Sequence, residues 1–271
     1  MRFLNILFIL FIVSCSTRSE QDTLRSDIAG SWLVMDPDHS PENKRQKKVY
    51  SGIHDSIELL NGLKLVNLLE DGTFQQMDSL HIKGKWGISP YNDIYIIGGG
   101  KGFDNFKTKL SGFEKDLLQL DEKLNIEGET LKVTWNLKKV DAPAFFEQKN
   151  NTWRQKPSQP ESAKQMRKRL SQMLKYYSDY FKLVNKEADY FMPARIPLPL
   201  KYYQHAMGMG NYNRQSPFSH LFFDDTQSKQ AYDLLEETII ALRDKFPSGK
   251  DFVDEYALFI ELMSKEIVRD K

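Results

Sequence analysis

Residues 131–138 read Leu131-Lys132-Val133-Thr134-Trp135-Asn136-Leu137-Lys138. Apolar and polar residues alternate without a break. A period of two sends one set of side chains inward and the other to solvent, which is the mark of a half-buried strand. The character persists toward the N-terminus. Residues 125–129, with Gly128, separate this run from an apolar run over 117–120. Ile94-Tyr95-Ile96-Ile97 is a short β-branched and aromatic run that ends in Gly98-Gly99-Gly100. Glu70-Asp71-Gly72-Thr73 lies between apolar runs at 65–69 and 74–77, and Asp-Gly there is a hairpin signal. Short strands at close intervals, with turn residues between them, predict an antiparallel all-β domain over residues 28–141, a barrel or a sandwich.

A resemblance narrows that choice. Ile28-Ala29-Gly30-Ser31-Trp32 would open the first strand. Leu68-Leu69-Glu70-Asp71-Gly72-Thr73-Phe74 and Gly84-Lys85-Trp86-Gly87-Ile88 follow in order. A Gly-x-Trp opening, then an Asp-Gly-Thr turn and a second Gly-x-Trp strand, resembles the lipocalins and their bacterial lipocalin-like relatives. The resemblance covers residues 26–141. It implies a barrel. The polar segment 36–48, longer than a hairpin turn, and a short helix expected near 56–60 depart from that pattern, so the barrel is expected to be either interrupted or open there. The resemblance also implies that Trp32 plugs the closed end, and that a small, partly apolar ligand binds inside without covalent attachment. Trp32, Trp86, Tyr95 and Trp135 are the candidate lining residues. An eight-stranded barrel has room for packed side chains or one small ligand.

The second half changes period. Asp141-Ala142-Pro143 ends the β region, and residues 142–160 read as a linker with Pro157 and Pro160. Met166, Leu170, Met173, Leu174, Tyr177, Phe181, Val184, Ala188 and Phe191 then recur at three- and four-residue steps. That is one face of a long helix. A shorter helix is expected over 198–207. Another follows an N-cap at Asp225, carries Leu234, Leu235, Ile239 and Leu242, and stops at Pro247. A last one holds Tyr256, Phe259, Ile260, Met263 and Ile267. Amphipathic helices need partners for their apolar faces, so residues 161–271 are expected to form an all-α helical bundle. Tyr176, Tyr180, Tyr202, Tyr203 and Tyr212 exceed what one narrow buried stripe holds and are candidates for an interaction surface.

The N-terminus belongs to neither domain. After Arg2, residues 3–13 are apolar apart from Asn5. About eleven residues suit the hydrophobic core of a secretory signal, and a membrane-spanning helix needs roughly twenty. Ile12-Val13-Ser14-Cys15 resembles the lipobox of bacterial lipoproteins. The resemblance implies a signal peptide at 1–14, lipid on Cys15, and a lipidated polar tether over 15–27. Several acyl chains on one residue make a stable membrane anchor, where a single chain is marginal. Cys15 is the chain's one cysteine, so no disulfide contributes to its stability. The residues after Cys15 lack an acidic run, which fits a body facing the periplasm from the outer membrane.

Charge and motifs exclude other classes. Lys and Arg number 38 against 37 Asp and Glu, and they are spread through both halves. Nucleic acid needs a basic footprint, and none is present. The run Lys44-Arg45-Gln46-Lys47-Lys48 reads as a solvated loop, with contact to anionic head groups as the alternative. Gly98 to Gly102 is not a phosphate loop: Tyr95 stands where that motif needs Gly, and Gly102 where it needs Ser or Thr. His39, His54, His81, His205 and His220 show no zinc-protease spacing. No nucleophile elbow occurs, and pairs such as Asp224-Asp225 read as solvated or capping groups. No metal or cofactor is expected beyond the covalent lipid on Cys15. The expectation is a lipid-anchored envelope protein that binds a small apolar ligand without catalysis. The alternative is a structural or interaction lipoprotein that docks an envelope partner through its helices. A hydrolase without a recognisable motif ranks third.

Overall fold

A computed structural model of the chain describes residues 20–35, 38–39, 43–50, 65–77, 81–91, 93–98, 106–126, 128–188, 214, 218–246 and 252–269. Cys15 and its signal, the helices expected over 56–60 and 198–207, and Tyr202, Tyr203 and Tyr212 lie outside the described residues. The chain divides into two compact units, the first Met1–Gln76 with Ile82–Asp141 and the second Met77–His81 with Ala142–Lys271.

The first unit is an antiparallel β-barrel. Its strands are β1 (Gly30–Val34), β2 (Asp38–His39), β3 (Leu65–Leu68), β4 (Thr73–Met77), β5 (His81–Ile88), β6 (Asp93–Gly98), β7 (Phe106–Glu114), β8 (Leu117–Ile126) and β9 (Glu129–Val140). Neighbours in sequence pair around the sheet from β3 to β9, and β1 pairs with both β3 and β9. That double pairing closes the barrel. Val34 lies opposite Leu137 and Asp38 opposite Thr134, so β2 continues β1 along the same partner. β1 and β2 therefore share one of eight staves, and the polar segment after Val34 does not open the barrel.

The alternation that predicts β9 holds in space. Leu131, Val133, Trp135 and Leu137 are buried, and the intervening residues are less so. Two turns explain the hairpins. At the β3–β4 turn Gly72 has φ 82°, its N–H bonds the Leu69 carbonyl, and the Asp71 carboxylate accepts from the Thr73 N–H at 2.7 Å. At the β8–β9 turn Gly128 has φ 79°. Both conformations favour glycine.

Two segments differ from the sequence reading. Where the tether is expected, residues 20–28 form a helix, α1. Leu24 and Ile28 lie one turn apart and pack on the barrel core, with Ile28 fully buried. Two apolar residues in a polar stretch give little periodic signal, and only the barrel supplies their partner. The strand accordingly begins at Gly30 rather than Ile28. The basic run is a helix too, α2 (44–50), and not a loop. Asn43 caps it by accepting from the Gln46 N–H at 2.9 Å. Arg45 pairs with Glu129 at 3.0 Å, and the Gln46 side chain donates to the Thr130 carbonyl. Those bonds fix α2 beside the start of β9, and Tyr50 packs on the barrel core.

The second unit is a helical region with α3 (Ala163–Ala188), α4 (Asp225–Ala241) and α5 (Phe252–Glu266). The stripe from Met166 to Val184 is buried as its spacing predicts. Residues 142–160, which read as a linker, carry three 3-10 turns and bury Phe146 and Trp153 in this unit. Arg169 of α3 holds the segment by donating to the carbonyls of Trp153 and Gln155, both at 2.7 Å, while pairing with Glu161. The Ser178 hydroxyl, fully buried, donates to the Ala257 carbonyl and joins α3 to α5. Gln227 of α4 exchanges two hydrogen bonds with the Glu161 backbone. The N-cap of α4 is Asp224, one residue before the expected one: its carboxylate accepts from the Gln227 N–H at 2.8 Å. Neighbouring aspartates look alike in sequence, and only the helix start separates them.

Candidate functional site

The barrel interior has two ends of different character. At the end where β1 begins, the space is filled. Trp32 is fully buried, and its indole N–H donates to the Ile28 carbonyl at 2.9 Å. The Lys139 ammonium lies 5.3 Å from its ring centre and donates to the Asp27 carbonyl. Trp86 donates to the Leu69 carbonyl at 2.7 Å, with the Arg25 guanidinium 5.5 Å from its ring. Both indoles spend their one donor on backbone and both carry a cation on a face. They tie α1 and the β3–β4 turn to the barrel base.

The wall changes toward the other end. On β8 the even-numbered side chains face inward, beside their core partners. Leu118 and Leu120 are buried, whereas Glu122, Leu124 and Ile126 are only half-buried. The interior wall therefore reaches solvent as β8 runs on from Leu120. Glu122 is the one polar residue in that row. Its carboxylate accepts from the Trp135 indole N–H at 2.8 Å, across the β8–β9 ladder. Among the described residues this is its one partner. Burial raises its pKa above the usual glutamate value, and the Trp135 hydrogen bond offsets only part of that.

Asp121, next in sequence, points to the opposite face and behaves in the opposite way. Burial pushes its pKa up, but hydrogen bonds from Lys132, Thr134 and Ser111 outweigh this and leave it lowered. Lys132 pairs with it at 2.9 Å and the Thr134 hydroxyl at 2.8 Å. Among the described residues Glu122 has no such cation.

Thr108 of β7 completes the surroundings. It lies opposite Ile94, a core residue, and so shares the inward face. It is buried, and its hydroxyl donates to the Asp121 carbonyl at 2.7 Å. Leu110 stands opposite Leu120 on the same face. The arrangement is a largely apolar wall with Glu122 and Thr108 set into it, and Glu129, opposite Ile126, and Gln76, on the face of Phe74, are further polar side chains of the inward face.

The sequence candidates distribute unevenly over this geometry. Trp32 and Trp86 belong to the base, and Trp135 to the wall beside Glu122. Tyr95 is on the outside. Its neighbours Ile94 and Ile96 are buried inward, it is 37% exposed, and its ring lies over Gly87, where a Cβ would run into the phenol. A tyrosine laid over a cross-strand glycine covers backbone that would otherwise stand bare. Tyr176 is buried in the helical region, 5.2 Å from Phe145 and 5.4 Å from Trp153, with the Arg154 guanidinium 4.7 Å over its ring. Tyr180 is half-buried, 6.4 Å from Phe145 and 5.7 Å from Phe181. Both serve an aromatic cluster within that unit. Among the described residues no group of three His, Cys, Asp or Glu side chains is placed to hold a metal ion, and no helix is long and apolar enough to cross a membrane.

Sequence reasoning missed Glu122. The signal was present: Leu118, Leu120, Leu124 and Ile126 are all even-numbered, and Glu122 interrupts their row. The charged run Asp121-Glu122-Lys123 hides the parity. Comparison with protein-family models, with curated proteins and with solved structures found no match to this chain.

Proposed function

We propose that the barrel is a binding compartment for one small, partly apolar ligand, in a non-catalytic lipoprotein anchored through lipid on Cys15. The observation that carries this reading is the half-buried Glu122–Trp135 pair in an apolar wall that reaches solvent. A barrel filled for stability alone has no use for an interior carboxylate such as Glu122, which has no cation beside it among the described residues, because burying a charge is costly unless it is paired. The lipocalin-like motifs at residues 26–141 support the same reading. The lipobox-like Ile12-Val13-Ser14-Cys15 supports a periplasm-facing place at the outer membrane of a bacterial envelope. Ser178, which joins α3 to α5, and Gln227, which joins α4 to Glu161 just before α3, support a helical bundle for the second half.

The test is titration with N-phenyl-1-naphthylamine, a neutral apolar fluorophore. Probe emission should rise as tryptophan emission falls, and Trp135→Phe should lose the largest share of the quenching. A probe that stays dark at saturating protein defeats the compartment reading. Mass analysis of the Cys15 peptide from the native envelope tests the anchor separately: an unmodified cysteine would refute it.

A second reading has one observation behind it. Leu258 and Leu262 lie one turn apart on α5 and are both exposed. An envelope protein docking there would make the barrel a platform. Leu258→Lys should then abolish co-purification of that partner while leaving probe binding unchanged.

A further inference from the structure

We infer that the barrel selects an apolar ligand that carries a protonated amine, and that Glu122 receives the ammonium group. This rests on reading the barrel as a binding compartment and names the chemistry of its occupant.

The argument is an inventory of donors and acceptors. An ionised carboxylate accepts through two oxygens with about four lone-pair positions. The indole N–H of Trp135 fills one of them, at 2.8 Å from Oε2. Trp135 has no second N–H to give. Thr108 cannot supply one either, because its hydroxyl proton goes to the Asp121 carbonyl at 2.7 Å. What Thr108 presents to the interior is lone pairs. Glu122 and Thr108 thus both act as acceptors. Two further polar side chains share the inward face and are already held: Glu129, opposite Ile126, by Arg45, and Gln76, on the face of Phe74, by a partner of its own. Among the described residues, donors for the remaining positions of Glu122 are left to the occupant. Leu110, Leu120 and Leu124 surround Glu122 and Thr108 and suit an alkyl or ring body.

Charge decides which donor. A half-buried carboxylate with no cation beside it among the described residues gains most from a positive partner, since charge-assisted hydrogen bonds are roughly twice as strong as neutral ones. A neutral alcohol would satisfy the geometry but not the charge. A ligand carboxylate would meet like charge and two acceptors, so the wall also selects by repulsion. Asp121 does not compete for the cation, because it faces the other side and is held by Lys132.

The experiment is displacement of N-phenyl-1-naphthylamine by octylamine, 1-octanol and octanoic acid at neutral pH, with the full chain. Octylamine should displace the probe at concentrations about tenfold or more below the other two. Glu122→Gln should flatten the series. Glu122→Asp, which retains the charge, should keep the order, and so should Asp121→Asn on the outer face. A flat series in the parent protein, a preference for octanoic acid, or an amine preference that survives Glu122→Gln would each overturn the inference while the compartment stands. Failure of the naphthylamine probe itself to bind would overturn both.

Discussion

Single residues carry much of the barrel's geometry, and glycines show it most directly. Gly72 and Gly128 have nearly the same backbone, φ 82° and 79°, in turns of the same barrel. Their surroundings differ. A Cβ on Gly72 would run into the Arg25 guanidinium and come 3.2 Å from the Trp86 carbonyl, whereas one on Gly128 would meet nothing within 4 Å. Gly128→Ala should cost only the left-handed backbone, about 1 kcal/mol. Gly72→Ala should cost clearly more, about 2–3 kcal/mol. Urea unfolding midpoints check this, and equal losses would mean that Arg25 simply moves aside. Glu122 makes the opposite kind of prediction. Its folded pKa stands above the ordinary 4.5, so the folded state holds the proton more tightly than the unfolded one. Stability therefore declines as pH rises past 4.5 through the folded value. Glu122→Gln keeps an acceptor for Trp135 and removes the charge. Its melting temperature should exceed the parent's at pH 8, and the gain should vanish near pH 4. A stabilising substitution at an interior polar residue is the pattern expected where function has been kept at the expense of stability.

At the scale of elements, caps and helix contacts become testable. Asp224, not Asp225, accepts from the Gln227 N–H. Asp224→Ala should lower stability by about 1 kcal/mol. Asp225→Ala should cost about 0.3–0.5 kcal/mol through loss of first-turn charge. Chemical denaturation of the two variants side by side distinguishes them. Between α3 and α5, Glu261 takes hydrogen bonds from Lys182 at 2.5 Å and Lys265 at 2.6 Å, which hold its pKa at about 2 against the ordinary 4.5. A depressed carboxyl contributes above pH 4.5 and loses that contribution as pH falls toward 2. Glu261→Gln should be less stable than the parent at pH 7 and should match it near pH 2, as read by thermal melts across that range.

The elements also show what the sequence makes legible. β9 is plain because its alternation is long and unbroken, and the β3–β4 and β8–β9 turns are plain because Gly72 and Gly128 sit where the backbone needs them. α1 is not, because Leu24 and Ile28 are its two apolar contacts. α2 is hidden by Lys44, Arg45, Lys47 and Lys48, whose charge suggests solvent, while its anchors are the polar Gln46 and Arg45. The candidate site was half legible. Trp135 stands out by composition. Glu122 is found by counting even positions along β8, and its significance needs the register that sets it opposite Val133 and diagonal to Trp135. Tyr95 draws attention as an aromatic residue whichever face it occupies, and the buried Ile94 and Ile96 on either side assign it outward.

For the whole molecule, the two units have separate cores. Trp32, Trp86 and Trp135 report on the barrel, and Trp153 reports on the helical region. This division makes cooperativity measurable without labels. Trp153→Phe leaves fluorescence from the barrel alone. A variant with phenylalanine at positions 32, 86 and 135 leaves the helical region alone, and Trp135→Phe by itself spares the base. Units with their own buried cores should unfold in two separable thermal transitions. Superimposable curves from Trp153→Phe and from far-ultraviolet circular dichroism at a helix wavelength would instead mean one cooperative body.

The closing pair, β1 with β9, also sets an order in time. Ser31 lies opposite Val140, so the first stave of the barrel waits for the last. A ribosome delivers β1 long before its second neighbour exists, and contacts so distant along the chain are slow to form. Until residues 137–140 emerge, the nascent sheet carries two bare edges, each a template for pairing with another chain. A translation product stopped short of residue 137 is therefore not a slightly smaller barrel but an open sheet, and its expected fate is association with its own copies.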